Sequence, residues 1–465
     1  MLFTTWAFLA FFLVVVLALF CLPSRSYRQV FLLFASMFFY AYWKSSYLLI
    51  ILVPAVGDYY LGILIEACDQ PERRRLWLFA SFVLNLGLLG YFKYSNFFLA
   101  SIAHGMRVNV QPLSIVLPLG ISFFTFKSLS YTVDIYRGQI KACRTLWQYA
   151  MYIMYFPEMI AGPIVRASIF LPQMRRSLRP SLGRTVSGIK RIFLGLTKKM
   201  VCADRLAIFV DPIFNAPMNY SPDTVTCALL GYSIQIYCDF SGYTDMAIGL
   251  SQIIGFDLPE NFDFPYLATS ISDFWRRWHI TLSEWLRDYL YIPLGGNRKG
   301  RARTMANLIL TMLLGGLWHG ANWRFVFWGL LHAAYLIVHK AWKDCGYSIA
   351  DTIAGRLLAW GLTFGSVSVA WIFFRAPDLH IACIIILKLS GFLAGGYRWI
   401  YGPFYLVTLA VGGAHLWRAP SMDRSSRVIP LPQNPLIASF LLTLWLLGIF
   451  LFAVVKGSPF IYFQF

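Results

Sequence analysis

The chain is expected to be an all-α polytopic membrane protein. Of its 465 residues 58% are hydrophobic and only 13% charged, and its mean hydropathy is +0.61. Apolar runs approaching the roughly 20 residues that a helix needs to cross the hydrocarbon core recur along its length. Together these exclude an ordinary soluble domain. The 40 Lys and Arg outnumber the 21 Asp and Glu, giving a net charge of +19. In a membrane protein such an excess collects in cytoplasmic loops, so it reads as topology and lipid contact and not as nucleic-acid binding. The eight cysteines are scattered, with no Cys-x-x-Cys and no metal-ligand spacing, and read as small buried hydrophobes.

Thr5 to Leu22 is the first run, with Arg25 and Arg28 just after it and no Lys or Arg before it. That is the reverse of a cleavable signal peptide, so a retained span with its N-terminus outside is expected. Val30 to Trp43, Tyr47 to Glu66 and Leu76 to Tyr94 follow, and the basic clusters at Arg25/Arg28 and Arg73–Arg75 fall in alternate loops. Ala100 to Gln111 then faces outside. Pro112 to Tyr136 is broken by Pro118 and Gly120, and Leu146 to Gly162 by Pro157 and Gly162. Basic residues flank the latter on both sides, which suits a re-entrant segment, because broken backbone at membrane depth is tolerated only where protein or a wet cavity satisfies it.

Arg175 to Lys199 is basic without an acid, with Pro180 and Gly183 expected to interrupt any helix. It reads as a surface for anionic lipid, or as a docking face for an acidic carrier protein. Thr224 to Gly255 is apolar yet carries Asp239, Ser241, Tyr243, Thr244 and Asp245. Ionisable groups in such a segment face the bundle interior or a wet cavity, and Asp239 and Tyr243 are spaced to share a helix face. They either line a reaction cavity or cross-link helices. Phe325 to Val338, Ile349 to Phe374, Ile381 to Leu393, Tyr401 to Leu416 and Pro435 to Val455 complete about 11–13 membrane elements at about 20 residues each. No repeat or soluble domain is evident, so residues 1–465 read as one integral membrane unit with its core motifs in 112–340.

The chemistry concentrates between Phe264 and His332. Ser270 to Asp273 has the form of a capped helix start. Trp275, Trp278, His279, Leu282, Trp285, Leu286 and Tyr289 then recur at helical spacing as one aromatic face, as in an interfacial helix. A single histidine on that face reads first as a packing residue. Pro293 to Arg303 combines glycines with Arg298, Lys299, Arg301 and Arg303. Freed backbone amides and cations suit a phosphate-bearing ligand, though the spacing is not that of a P-loop and a positive-inside anchor fits as well. Asn307 to Trp318 is an apolar helix rising nearly 20 Å at about 1.5 Å per residue. It carries His319 inward, flanked by Trp318, Gly320, Asn322 and Trp323. A neutral imidazole there can take a proton from an attacking hydroxyl, and Asn322 can orient a ring nitrogen or a carbonyl.

DFWRRWHITLSEWLRDYLYIPLGGN, GGLWHGANWRFVFWGLLH, YFPEMIAGPIVR and YCDFSGYTDMAIGL together resemble the membrane-bound O-acyltransferase family. The likeness is to its bacterial branch of alginate O-acetylation, peptidoglycan O-acetylation and teichoic-acid D-alanylation proteins. It implies a helical funnel around a central channel, with His319 as the family's near-invariant histidine and His279 as its second, more variable active-site position. It further implies a cytoplasmic donor, acetyl-CoA or an acyl-carrier thioester, that is not a bound cofactor. The basic loop Arg298, Lys299, Arg301 and Arg303 would help hold that donor. Asp239, Tyr243, Asn322, Trp278 and Trp318 would support the channel, and His279 would position or polarise the acyl carbonyl. Tyr462, in an aromatic stretch like the terminal motif of related acyl-export systems, would be a candidate acyl relay. An exported or membrane-anchored acetyltransferase is the implied partner, and the bacterial cytoplasmic membrane the implied location. The alternative from another class is a transporter or flippase of a lipid-linked or acylated intermediate, against which stands the lack of an evident inverted repeat. A lipid-directed acyltransferase is the alternative within the class.

Overall fold

In a computed structural model the chain is helical, and among the described residues no strand forms beyond a lone backbone bridge between Tyr220 and Tyr397. The description covers all residues except 160–161, 177, 348, 350–351, 419–431, 433, 455–456 and 462–465. Two units can be distinguished, Met1–Ile192 with Thr244–Pro259, and Phe193–Tyr243 with Glu260–Phe465.

The first unit holds α1 (Trp6–Cys21), α2 (Arg25–Ala41), α3 (Leu48–Ala67), α4 (Pro71–Leu89), α5 (Ser95–Met106), α6 (Ile121–Tyr136), α7 (Leu146–Met154), α8 (Phe156–Met159), α9 (Ala167–Gln173) and most of α10 (Leu182–Leu196). Residues 71–106 run on as one helical rod through a π turn at Gly90–Tyr94. The segment expected to face outside, from Ala100, is helical as far as Met106. The 36-residue rod is about 54 Å long at about 1.5 Å per residue, well beyond a hydrocarbon core of about 30 Å.

The run from Leu146 breaks at Tyr155, which separates α7 from α8, and the residues around the break are buried in protein. A short, interrupted element is what the sequence called for there. Two buried ion pairs brace this unit, Lys127 Nζ to Glu158 Oε2 at 2.9 Å and Arg191 Nη2 to Asp245 Oδ1 at 2.7 Å. Asp58 instead takes hydrogen bonds from Ser81 Oγ (2.6 Å) and Asn85 Nδ2 (2.7 Å). Gly183 does not interrupt the basic segment as expected, because α10 starts at Leu182 and runs through it. Beyond the end of the next long helix, partial burial raises the pKa of the Asp257 carboxyl, but Arg184 and Arg176 outweigh it and hold the group below the ordinary carboxylate range.

The second unit contains α11 (Asp204–Asn215), the first two thirds of α12 (Pro222–Ile254), α13 (Ile271–Arg277), α14 (Ile280–Leu286), α15 (Gly300–His319), α16 (Trp323–Asp344), α17 (Ile353–Arg375), α18 (Leu379–Leu389), α19 (Gly402–Arg418) and α20 (Pro435–Phe452). Large apolar side chains such as Leu357, Leu358, Leu362, Leu406, Leu409 and Leu451 stand exposed on it. Lipid is the solvent in which such faces are stable. Among the described residues three stretches, Ser45–Ala67, Pro71–Met106 and Ile353–Arg375, are by themselves long and apolar enough to cross a membrane.

Candidate active site

The aromatic segment does not form one continuous helix. Ser270 caps α13 as expected, its Oγ accepting from Asp273 N at 3.2 Å. The chain then breaks at Trp278, and His279 adopts a left-handed φ of 42° before α14 begins. A left-handed non-glycine residue costs about 1–3 kcal/mol and persists where its surroundings over-determine it. Asn261, from the loop before α13, does so here. Its backbone O accepts from Ile280 N (2.9 Å), and its Oδ1 accepts from Thr281 N (3.2 Å) and Thr281 Oγ1 (2.9 Å), so it satisfies donors that the start of α14 leaves unspent. The same Oδ1 lies 3.2 Å from His279 Nδ1. The expected separation of faces survives the break, with Trp278, His279, Leu282, Trp285 and Leu286 buried and Arg276, Glu284 and Arg287 exposed.

His319 is the last residue of α15. The seating of this helix on α16 is set by close contact, since a Cβ at Gly316 would stand 2.2 Å from Phe325 O and one at Gly329 2.4 Å from Met312 O. The His319 ring, 5% exposed, packs edge-on against Trp318 and Trp328, each with its centroid at 5.0 Å, and against Phe374 at 5.2 Å. His279, fully buried, packs on the same indole, with Trp318 at 5.9 Å. Thus the two histidines, forty positions apart in the chain, lie one tryptophan apart.

The remaining candidates divide. Trp318 is the bridge, whereas Trp278 is core, packed on Phe262 and Trp371 at 5.0 Å. Asp239 is committed to structure. Its Oδ1 accepts from Lys199 Nζ at 2.6 Å and its Oδ2 from Ile461 N at 2.9 Å, while Lys199 also donates to Ser458 O at 2.8 Å. This clamp holds the stretch 457–461, whose Phe460 packs on Tyr243 (4.8 Å) and on Phe240 (5.9 Å), and Phe240 touches His279 (4.7 Å). Tyr462 lies outside the described residues.

Two expectations are corrected. Asn322 orients no ring nitrogen; exposed, it caps α16 by accepting from Arg324 N at 3.1 Å. Two of the three glycine amides of the basic loop are spent within its own turns, Gly295 N on Ile292 O and Gly296 N on Tyr291 O. The earlier start of α15, at Gly300, also puts Arg301 and Arg303 in its first turn. What the loop offers an anion is the exposed side chains of Arg298, Lys299, Arg301 and Arg303.

Sequence reasoning missed Asn261, because a lone asparagine in Leu-Pro-Glu-Asn-Phe carries no spacing signal. His332 is a further buried imidazole that spacing does not single out. That ring is fully buried 4.7 Å from Trp328, in the same aromatic cluster as His319, and among the described residues neither of its nitrogens has a hydrogen-bond partner.

A helical protein with lipid-facing surfaces that buries two imidazoles one indole apart holds groups suited to general acid–base chemistry. A family model for membrane-bound O-acyltransferases matches residues 141–346. The chain is 42% identical over 389 residues to a protein of Pseudomonas syringae pv. tomato named as a probable alginate O-acetylase, covering 82% of this chain and 74% of that protein. It is 39% identical over 391 residues to a peptidoglycan O-acetyltransferase of Helicobacter pylori, covering 78% and 74%. To a teichoic acid D-alanyltransferase of Bacillus subtilis it is 29% identical over 284 residues, covering 58% and 71%. The chain belongs to the membrane-bound O-acyltransferase family and is an O-acyltransferase.

Proposed function

We propose that the chain moves an acetyl group from a cytoplasmic thioester, acetyl-CoA or an acyl-carrier protein, to a hydroxyl across the bacterial cytoplasmic membrane, for O-acetylation of an exported polysaccharide such as alginate or of peptidoglycan. The observation that carries this reading is the packing of His279 and His319 on the one buried indole of Trp318. The names of the relatives supply the acceptor class.

His319 takes the proton of the attacking hydroxyl as the O–C bond forms. When the C–S bond breaks, the imidazolium returns that proton to the departing thiolate. His279, packed on the same indole, positions the acyl group for this attack. The exposed cations at Arg298, Lys299, Arg301 and Arg303 attract the donor's phosphates. Delivery to a polymer calls for an exported or anchored acetyltransferase as partner. Tyr462 is the candidate relay, whose hydroxyl would carry the acetyl ester between donor and partner. The clamp on its neighbour Ile461 supports this role.

Purified protein in vesicles, given labelled acetyl-CoA and an acceptor hydroxyl, tests the reading. Thiol release with the label esterified supports it. Uptake of label without thioester turnover contradicts it and favours a transporter. Full acetyl transfer by Tyr462→Phe would remove the relay while leaving the transferase in place.

A further inference from the structure

We propose that Asn261 is a catalytic residue, whose Oδ1 fixes the tautomer of His279 and whose Nδ2 donates a hydrogen bond to the acyl carbonyl oxygen as charge builds there. The inference rests on the acyl-transfer reading above.

Thr281 supplies the first step. Its backbone N–H can only donate, and it points at the Asn261 side chain at 3.2 Å. The atom it meets is therefore the amide oxygen, which settles the usual ambiguity between the two ends of an asparagine side chain. The His279 ring nitrogen facing that same oxygen at 3.2 Å must then carry its proton. Nδ1 is the donor of His279, and Nε2 holds the lone pair.

A neutral His279 so oriented has no N–H to offer a carbonyl, so the polarising role expected of it falls to another group. Acyl transfer needs such a donor. As the hydroxyl oxygen bonds to the acyl carbon, the carbonyl oxygen takes up negative charge, and it gives this back when the C–S bond breaks. Asn261 Nδ2 meets the requirement. Asn261 is fully buried, its Oδ1 is committed on three sides, and among the described residues its Nδ2 has no hydrogen-bond partner. Left unspent, a buried amide donor is destabilising; completed by a substrate oxygen it is a preorganised site. Because Nδ2 shares its carbon with the oxygen that holds His279, donor and imidazole are rigidly coupled, and Nδ2 keeps its protons throughout the transfer.

The test uses the full chain in vesicles with acetyl-CoA and an acceptor hydroxyl, reading thiol release. Asn261→Asp keeps an oxygen for Thr281 and His279 but replaces the donor. Its kcat is expected to fall by about 10²- to 10³-fold, as when one oxyanion-stabilising donor is removed, with KM for acetyl-CoA unchanged. Thr281→Val, which loosens the anchor and leaves the donor, should lose far less. Wild-type kcat in Asn261→Asp, equal losses in the two variants, or a loss wholly in KM would overturn the proposal. Should Asn261→Asp not fold, Asn261→Ala, which removes the oxygen and the donor together, is expected to lose at least as much kcat, and wild-type kcat in it would overturn the proposal. An inactive His319→Ala beside an active Asn261→Asp sinks this inference alone, whereas an active His319→Ala sinks the reading beneath it.

Discussion

Replacing Gly316 with alanine should disable the enzyme without unfolding it. The added Cβ would stand 2.2 Å from Phe325 O, a backbone atom that cannot rotate away, whereas ordinary contact begins at 3.4 Å. To relieve the clash, α15 and α16 have to part by about 1 Å, three residues before His319 and three before Trp328, against which His319 packs. A misplacement of about 1 Å in a catalytic group costs on the order of 10²-fold in rate, and overpacking of this kind costs about 1–3 kcal/mol in stability. Gly315→Ala is the matched control, because its Cβ would meet only the Leu286 Cδ1 methyl at 3.1 Å, the end of a flexible side chain. Thiol release from acetyl-CoA, normalised to folded protein by thermal unfolding, reads the difference. A Gly316→Ala enzyme with wild-type turnover, or a Gly315→Ala enzyme equally impaired, would refute the reasoning that close helix contact sets the position of His319.

Other perturbations have equally definite outcomes. Lys127→Met leaves Glu158, 1% exposed, without its cation and should cost about 3–5 kcal/mol; adding Glu158→Leu should recover much of the lost melting temperature, and no recovery would contradict the pairing. Converting Arg298, Lys299, Arg301 and Arg303 together to glutamine should raise KM for acetyl-CoA and flatten its dependence on salt, and an unchanged KM would reduce the loop to a topological anchor. Asp239→Asn weakens the hold of Lys199 on the stretch 457–461. Limited proteolysis should then cut there sooner, with acetyl transfer lowered in step, and unaltered cleavage would remove the clamp from the account.

Much of the fold was legible because hydropathy and charge act residue by residue along the chain. The apolar runs became helices, and the interrupted stretch after Leu146 broke at Tyr155. What periodicity could not show was continuity. The rod 71–106 passes its expected end through a π turn, and the aromatic segment breaks at His279 because Asn261 caps α14 from outside it. The pair His279 and His319 was reachable through the family's motifs, and in the fold both rings pack on Trp318. Asn261 was invisible, since a residue recruited by three-dimensional contact leaves no mark in spacing. Asn322 misled for the opposite reason: its nearness to His319 in sequence reflects the start of the next helix, which it caps.

The central claim is that the buried imidazole at the end of α15 carries the acyl transfer. Its most direct test is acetylation by the full-length His319→Ala protein, reconstituted in vesicles with acetyl-CoA on one side and the acceptor with its partner on the other. The account predicts a protein that unfolds at the wild-type temperature within a few degrees, about 3 °C being the scale of a small packing change, and that transfers no acetyl group. Transfer at the wild-type rate would contradict it.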